Sequence, residues 1–246
     1  MKILLISLMF ITTSFSCKDS LSNKLSQMDD KGFAVVELFT SEGCSSCPPA
    51  DRAVEKLLKQ YTGNVYVLGY HVDYWDQLGW KDIFSNARYT QRQKTYAKAL
   101  NLASVYTPQI IVNGTQQFVG SDEAKLNAAV IKSLQQASTI KLTINAKKDS
   151  GNEVKVQYAT DGAKANLCVA LIQLHAENKI QRGENSGTTL HHVNIVRDIK
   201  TVAAGSNGAV MLNLPENLSV DDCKVIIFVQ NVSDNKIIAA TESNIE

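Results

Sequence analysis

The stretch Ala34-Val35-Val36-Glu37-Leu38-Phe39-Thr40-Ser41-Glu42-Gly43-Cys44-Ser45-Ser46-Cys47-Pro48-Pro49 sets two thiols between a strand and a helix. Its first six residues form a short apolar run rich in β-preferring side chains, which predicts a buried strand. Beyond it, Ala50, Ala53, Val54, Leu57, Leu58 and Tyr61 recur at the spacing of an amphipathic helix. Proline inside a helix lacks an N–H and clashes with the preceding turn, so Pro48 and Pro49 must lie in the first turn. Cys44 is then at or just ahead of the helix N-terminus, where the helix dipole and free N–H groups lower a cysteine pKa. These positions make Cys44 the candidate nucleophile and Cys47 the residue that resolves a mixed disulfide. The same spacing also supplies half of a zinc site. The second half is missing, because neither Cys168 nor Cys223 has a Cys or His two to four positions away.

At 246 residues and 44% hydrophobic content the chain has the composition of a globular protein of one or two domains. A formal charge of +1 argues against a general nucleic-acid binder. Met1-Lys2 followed by the apolar run Ile3 to Phe15 has the pattern of an export signal, too short to span a bilayer. Its end, Ser14-Phe15-Ser16-Cys17, resembles a loose lipobox that would make Cys17 the lipidated residue; ordinary cleavage near Ser16 is the alternative. We therefore expect an exported protein, periplasmic or anchored to the outer membrane as a lipoprotein. Residues 1–17 form the signal and the polar residues 18–32 a flexible tether.

Val65 to Tyr70 predicts a second strand, running into His71-Val72-Asp73-Tyr74-Trp75. Polar groups at the C-terminal end of such a strand are where open α/β sheets bind ligands, so His71 and Asp73 are candidate proton-relay residues. A hydrogen-bonded core histidine is the alternative for His71. Trp80 to Leu102 suits one or two helices. Thr107-Pro108 then opens a strand that ends in Asn113-Gly114, a strong hairpin turn, with a return strand at Thr115 to Val119. Ser121 is placed to cap a helix carrying Leu126, Val130 and Leu134.

This order of elements resembles the thioredoxin fold over Phe33 to about Ala137. The resemblance implies a cis Thr107-Pro108 bond against the cysteine pair, with Thr107 and Pro108 presenting backbone to an extended substrate. The runs Glu37 to Asp51, His71 to Trp75, Leu78 to Asp82 and Tyr106 to Gln109 are similar to a family of secreted bacterial thioredoxin-like proteins catalogued as a domain of unknown function.

After Ser138 the pattern changes to alternating runs such as Val154-Lys155-Val156-Gln157-Tyr158, separated by turns at Asp149 to Asn152 and Asp161-Gly162. Further strands are expected at Leu167 to His175, Leu190 to Asp198, Ala209 to Leu214, Lys224 to Gln230 and Lys236 to Thr241. The expected architecture is an α/β thioredoxin-like domain, residues 33–137, followed by an all-β sandwich, residues 138–246. Cys168 and Cys223 either bridge within the sandwich or stay free. Adjacent His191 and His192 on a strand point to opposite faces, which argues for a structural role over a metal site.

The function expected is exported thiol–disulfide exchange through Cys44 and Cys47, with no cofactor and no metal. Its partners are a protein or small-thiol substrate and an upstream redox partner, with the membrane reached through a lipid anchor. The alternatives are a Cu(I)-binding or metal-delivery module using the same thiolates, since soft ligands select that ion, and a lipid-anchored interaction protein.

Overall fold

The computed structural model describes residues 32–138, 140–161 and 164–246. The signal, Cys17 and nearly all of the expected tether lie outside the described residues.

The first strand, β1 (Ala34–Thr40), is buried along its whole length and leads through the cysteine turn into α1 (Pro48–Gln60). Strand β2 (Val65–His71) pairs parallel to β1, as a strand–helix–strand crossover requires. A short 3-10 turn at Asp73–Trp75 and helix α2 (Ala87–Ala99) follow. Strands β3 (Gln109–Val112) and β4 (Gln116–Val119) form the expected antiparallel hairpin, with β3 pairing antiparallel to β1 and β4 at the sheet edge. Its turn uses positive φ at both Asn113 (46°) and Gly114 (74°), which the Asn-Gly pair supplies at little steric cost. Helix α3 (Glu123–Leu134) is capped by the Asp122 side chain, one residue beyond the expected Ser121.

The second half forms β5 (Leu142–Lys148), β6 (Glu153–Thr160), β7 (Ala165–Lys179), β8 (Thr189–Ala203), β9 (Asn207–Asn213), β10 (Cys223–Asn231) and β11 (Ile237–Asn244). They do not build a separate sandwich, and the expected division into an α/β thioredoxin-like domain followed by an all-β sandwich is overturned by how they pair. One mixed eight-stranded sheet runs β11-β10-β7-β8-β2-β1-β3-β4, and only β5-β6-β9 form a second, small sheet. The seam is the parallel pairing of β2 with β8 at Gly69 and Ile195. It is reinforced by Asn194 Nδ2 donating to the Val67 carbonyl (3.1 Å) and by the Tyr89 hydroxyl donating to the Val196 carbonyl (2.8 Å).

Burial explains why the sheet is continuous. Residues Leu167 to Gln173 of β7 are all buried, so this strand needs cover on both faces and lies inside a sheet. Helix α2 covers one face, where Tyr89 and Tyr96 pack with Phe39, Tyr70, Ile172 and Phe228. On the other face α1 and α3 cover β1 to β4, with Val36, Leu38, Leu57 and Leu126 in contact. The small sheet covers the remainder, packing Val154, Val156 and Leu212 on Leu167, Val169 and Val225.

The disulfide considered for Cys168 and Cys223 does not form. Cys168 pairs across from Phe228 and belongs to the α2 side, whereas Cys223 pairs with Gln173 and belongs to the small-sheet side. Five residues of strand separate them, about 17 Å, on opposite faces, so both remain buried free thiols.

Candidate functional site

Cys47 is the N-cap of α1, with Pro48 and Pro49 in its first turn, where a missing N–H costs no helical bond. The turn before it is closed by Cys44 N donating to the Ser41 carbonyl (3.2 Å) and Cys47 N to the Cys44 carbonyl (3.1 Å). Against this turn lies the Thr107-Pro108 loop, whose peptide is cis. The Trp75 indole holds it by donating to Thr107 Oγ1 (2.7 Å). Gly120 makes the close packing possible: a Cβ there would stand 2.9 Å from Ala50 Cβ, 3.1 Å from Pro108 Cβ and 3.2 Å from Leu38 Cδ1. Any side chain at Gly120 would push the Pro108 loop off the first turn of α1.

The two thiols are driven apart in acidity. A hydrogen bond from the Cys47 thiol leads in pulling Cys44 down from an ordinary 9.0 to about 6; burial opposes, and the Ser46 and Thr107 side chains assist. Ser46 Oγ is 3.3 Å from Cys44 Sγ. Cys47 is pushed strongly up, first by burial, then by its bond to Cys44 and by the charges of Cys44 and Asp51. At neutral pH the pair is therefore a thiolate at Cys44 and a thiol at Cys47. These hydrogen bonds act on Cys44 in addition to its place ahead of the N-terminus of α1, to which the sequence pointed.

Both cysteines are 0% exposed, and burial weighs more heavily on Cys47 than on Cys44. The connection between β7 and β8 closes over the turn. Glu184 accepts from Ser45 N (3.1 Å) and Ser45 Oγ (2.7 Å), and Asn185 Nδ2 donates to the carbonyls of Glu42 (2.8 Å) and Cys44 (3.0 Å). Alkylation of the reduced protein should go to Cys44 first, with a pH midpoint near the value of about 6 for its thiolate. Glu184→Ala should accelerate it about threefold to tenfold, the worth of a net hydrogen bond or two in the closed population. Iodoacetamide labelling followed by peptide mass mapping checks both; preferential modification of Cys47 would reverse the roles.

Beneath Cys47 lies a tier of buried polar side chains drawn from both halves of the chain. Thr40 hydrogen-bonds Cys47 and also donates to Asp51 Oδ2 at 3.5 Å, which links the thiol to a carboxyl one helical turn away. Burial pushes Asp51 up; the charges of His192 and His71 and the Thr40 bond pull against it. His71 Nδ1 meets Asp82 Oδ2 at 2.7 Å, and Asp82 also accepts from Glu42 N and Phe84 N at 2.9 Å each. Burial lowers the His71 pKa and raises that of Asp82, but their mutual attraction outweighs it and moves His71 up and Asp82 down. The Glu42 carboxylate accepts from Trp80 Nε1 (2.8 Å) and Asn178 Nδ2 (3.0 and 3.1 Å). The rings of His71 and His192 meet edge to face at 4.8 Å.

The structure brings Cys44, Cys47, Thr107 and Pro108 together and places His71 in the tier below. Asp73 goes elsewhere: Thr90 Oγ1 on α2 donates to its Oδ1 at 2.5 Å. His191 and His192 do face opposite ways, His191 exposed beside Glu177 (3.2 Å) and His192 buried. Sequence reasoning missed Glu42, Asp51, Asp82, Glu184, Asn185 and the inward role of His192. Asp51 alone carried a usable signal, an acid four residues after Cys47 on the buried stripe of α1. Among the described residues no group of three or more His, Cys, Asp or Glu side chains is arranged to hold a metal ion, and no helix is long and apolar enough to cross a membrane.

Comparison with known proteins gives a family. The family described as protein of unknown function (DUF1223) matches residues 35–230, and the chain belongs to it. No curated protein sequence is significantly similar to the chain. Among solved structures, protein AGR_C_4864 from Agrobacterium tumefaciens is 33% identical, with 85% of this chain and 92% of that one covered at a TM-score of 0.63. HBP35 of Porphyromonas gingivalis shares the fold at 17% identity, 89% and 77% coverage and a TM-score of 0.61.

Proposed function

We propose that this member of the DUF1223 family is a thiol–disulfide oxidoreductase acting on protein or small-thiol substrates. The observation that carries the reading is the split in acidity between Cys44 and Cys47 beside the cis Thr107-Pro108 loop. That local arrangement resembles the redox centre of thioredoxin-like proteins. A lowered pKa makes Cys44 a thiolate when its partner is still protonated, which is what a nucleophile and its resolving thiol need.

In the reducing direction the Cys44 thiolate attacks a substrate disulfide. A Cys44–substrate disulfide forms, the substrate S–S bond breaks, and the first substrate thiolate leaves and is protonated by water. Cys47 then attacks the Cys44 sulfur, forming the Cys44–Cys47 bond and expelling the second substrate thiolate. The Cys47 proton passes through the Thr40 hydroxyl to Asp51, a carboxyl whose pKa burial raises. The substrate is reduced by two electrons and the cysteine pair oxidised. An upstream dithiol partner restores the pair, and the oxidising direction is the reverse sequence. The Thr107-Pro108 backbone lies where an extended substrate would run past Cys44. The reading includes export through the Met1 to Phe15 segment, with Cys17 as the lipid anchor.

Cys47→Ser should accumulate a mixed disulfide on Cys44 when incubated with a disulfide substrate, and Cys44→Ser should form none. Equilibration of the parent in glutathione buffers should give a potential above about −300 mV. A much lower potential, or a Cys47→Ser protein that traps nothing, would mark the pair as a static structural feature.

A further inference from the structure

Ser45 and Ser46 are the exposed residues of the cysteine turn, with Cys44 buried beside them. Ser46 Oγ stands 3.3 Å from Cys44 Sγ, so a substrate disulfide approaches that sulfur between this part of the turn and the Thr107-Pro108 loop. One charged side chain from the far half of the chain rests there. Glu184 Oε2 accepts from both the amide (3.1 Å) and the hydroxyl (2.7 Å) of Ser45, the residue that follows Cys44. These two bonds hold the carboxyl below the ordinary carboxylate range, and no cation is among the groups that act on it, so its charge stands unneutralised at neutral pH. Lys81 and Arg182 are exposed next to Trp80 and Gly183 in the sequence, but neither pairs with Glu184.

The carboxylate is rooted at this entrance by the hairpin tip around it. Asn185, the next residue, is 7% exposed and is tied to the carbonyls of Glu42 and Cys44. Within the tip, Gly187 N donates to the Ile180 carbonyl (2.9 Å), Ser186 N to the Gly183 carbonyl (3.2 Å) and Thr188 Oγ1 to the Asn185 carbonyl (2.6 Å). On the other side Gly183, at φ 77°, packs so closely on Trp80 that a Cβ there would stand 3.1 Å from Trp80 Cβ. The backbone on both sides of Glu184 is thus fixed, and only its side chain is free to swing off Ser45. A substrate meets the negative charge whether that side chain is on Ser45 or off it.

We infer that Glu184 selects substrates by charge, favouring cationic and neutral disulfides at Cys44 and repelling those that carry carboxylates. This rests on the redox reading above and deepens it by naming the substrate class. The bonds made and broken are the ones already described, and Glu184 takes no part in them. It acts on the approaching molecule and not on the thiolate, whose leading influences are Cys47, Ser46, Thr107 and burial. A charge at the rim of a site changes the rate of encounter by a few-fold, in opposite senses for cations and anions, and salt screens the effect.

The test uses the reduced full-length protein and three small disulfides of differing charge: cystamine, a dication; bis(2-hydroxyethyl) disulfide, neutral; and dithiodiglycolate, a dianion. Oxidation rates are read by acid quenching and mass spectrometry. The parent should react in that order at low salt. Glu184→Gln keeps an oxygen that accepts from Ser45 and loses only the charge, so it should slow cystamine and speed dithiodiglycolate by about threefold each while leaving the neutral disulfide near its parent rate. The cation-to-anion ratio of the parent should itself fall toward that of the variant in ~1 M salt. Alkylation of Cys44 by iodoacetate against iodoacetamide gives the same comparison without disulfide exchange, and the variant should raise the iodoacetate rate alone. Unchanged ratios in both assays, or a neutral disulfide that moves as far as the charged ones, overturn the charge selection. A parent that exchanges with none of the three disulfides, while the alkylation ratio shifts as expected, refutes the redox reading and leaves the role of Glu184 at Cys44 standing.

Discussion

Arg92→Ala should cost about 3–5 kcal/mol of unfolding free energy, the range for breaking a buried ion pair on one side. Arg92 Nε donates to Glu37 Oε1 at 2.6 Å, with side-chain exposures of 15% and 0%. Tyr96 OH donates to the other carboxylate oxygen, while Arg92 Nη2 and Gln230 Nε2 both donate to Tyr96 OH, at 2.9 and 2.7 Å. The guanidinium also lies over the rings of Tyr70, Tyr96 and Phe228 at 5.1–5.6 Å, where a desolvated cation is attracted by the aromatic faces. Truncating Arg92 leaves the Glu37 carboxylate buried and uncompensated in the middle of β1. The network joins β1, α2 and β10, so both halves of the chain should unfold in one transition, in parent and variant alike. Urea denaturation followed by circular dichroism and tryptophan fluorescence checks this. A loss below about 1 kcal/mol, or two separated transitions in the parent, would contradict the account.

That network shows where sequence reading stops. The pattern around β1 was legible because the strand, the two prolines and the stripe of α1 each have a local cause. The Asn113-Gly114 turn was equally legible, since positive φ at two successive positions selects those residues. Glu37, by contrast, stands in the sequence as one acid in an apolar run, and nothing local names Arg92 or Gln230 as its partners. The same limit produced the error over the second half. Alternation in Val154-Lys155-Val156 correctly marks a strand with one covered face, and a sandwich follows naturally from several such strands. The unbroken run Leu167 to Gln173 was the contrary signal, because a strand buried on both faces belongs inside a larger sheet. Its continuation into β2 depends on one backbone pairing at Gly69 and two side-chain bonds, from Asn194 and Tyr89, which leave no period in the sequence. The polar tier below Cys47 was hidden for the same reason: Glu42, Asp51, His71 and Asp82 meet Asn178 and His192 only after that seam closes.

Asp51→Asn should slow resolution of the mixed disulfide by about a hundredfold, within the range for loss of a general base, while leaving the first attack by Cys44 near its parent rate. Asparagine can still accept the Thr40 hydroxyl, so the geometry is kept and only the proton acceptor is lost. Stability should move the other way. Burial is the largest influence on Asp51 and raises its folded pKa above that of the unfolded chain. A group shifted in this sense stabilises fully below the unfolded value of about 3.9 and loses that contribution as pH rises through the folded pKa. Above that point the parent carries a buried carboxylate that the variant lacks, so Asp51→Asn should be the more stable protein at pH 8. The difference should shrink as pH falls through the raised pKa and the parent's Asp51 takes up its proton. His71 and His192 temper the gain, because each favours the charged form of Asp51, but neither outranks burial. Thermal melts from pH 4 to 9, paired with two-phase exchange kinetics on the same preparations, decide it. A variant that is less stable than the parent at pH 8 would mean that attraction to the histidines outweighs burial. One that resolves at the parent rate would remove Asp51 from the proton path.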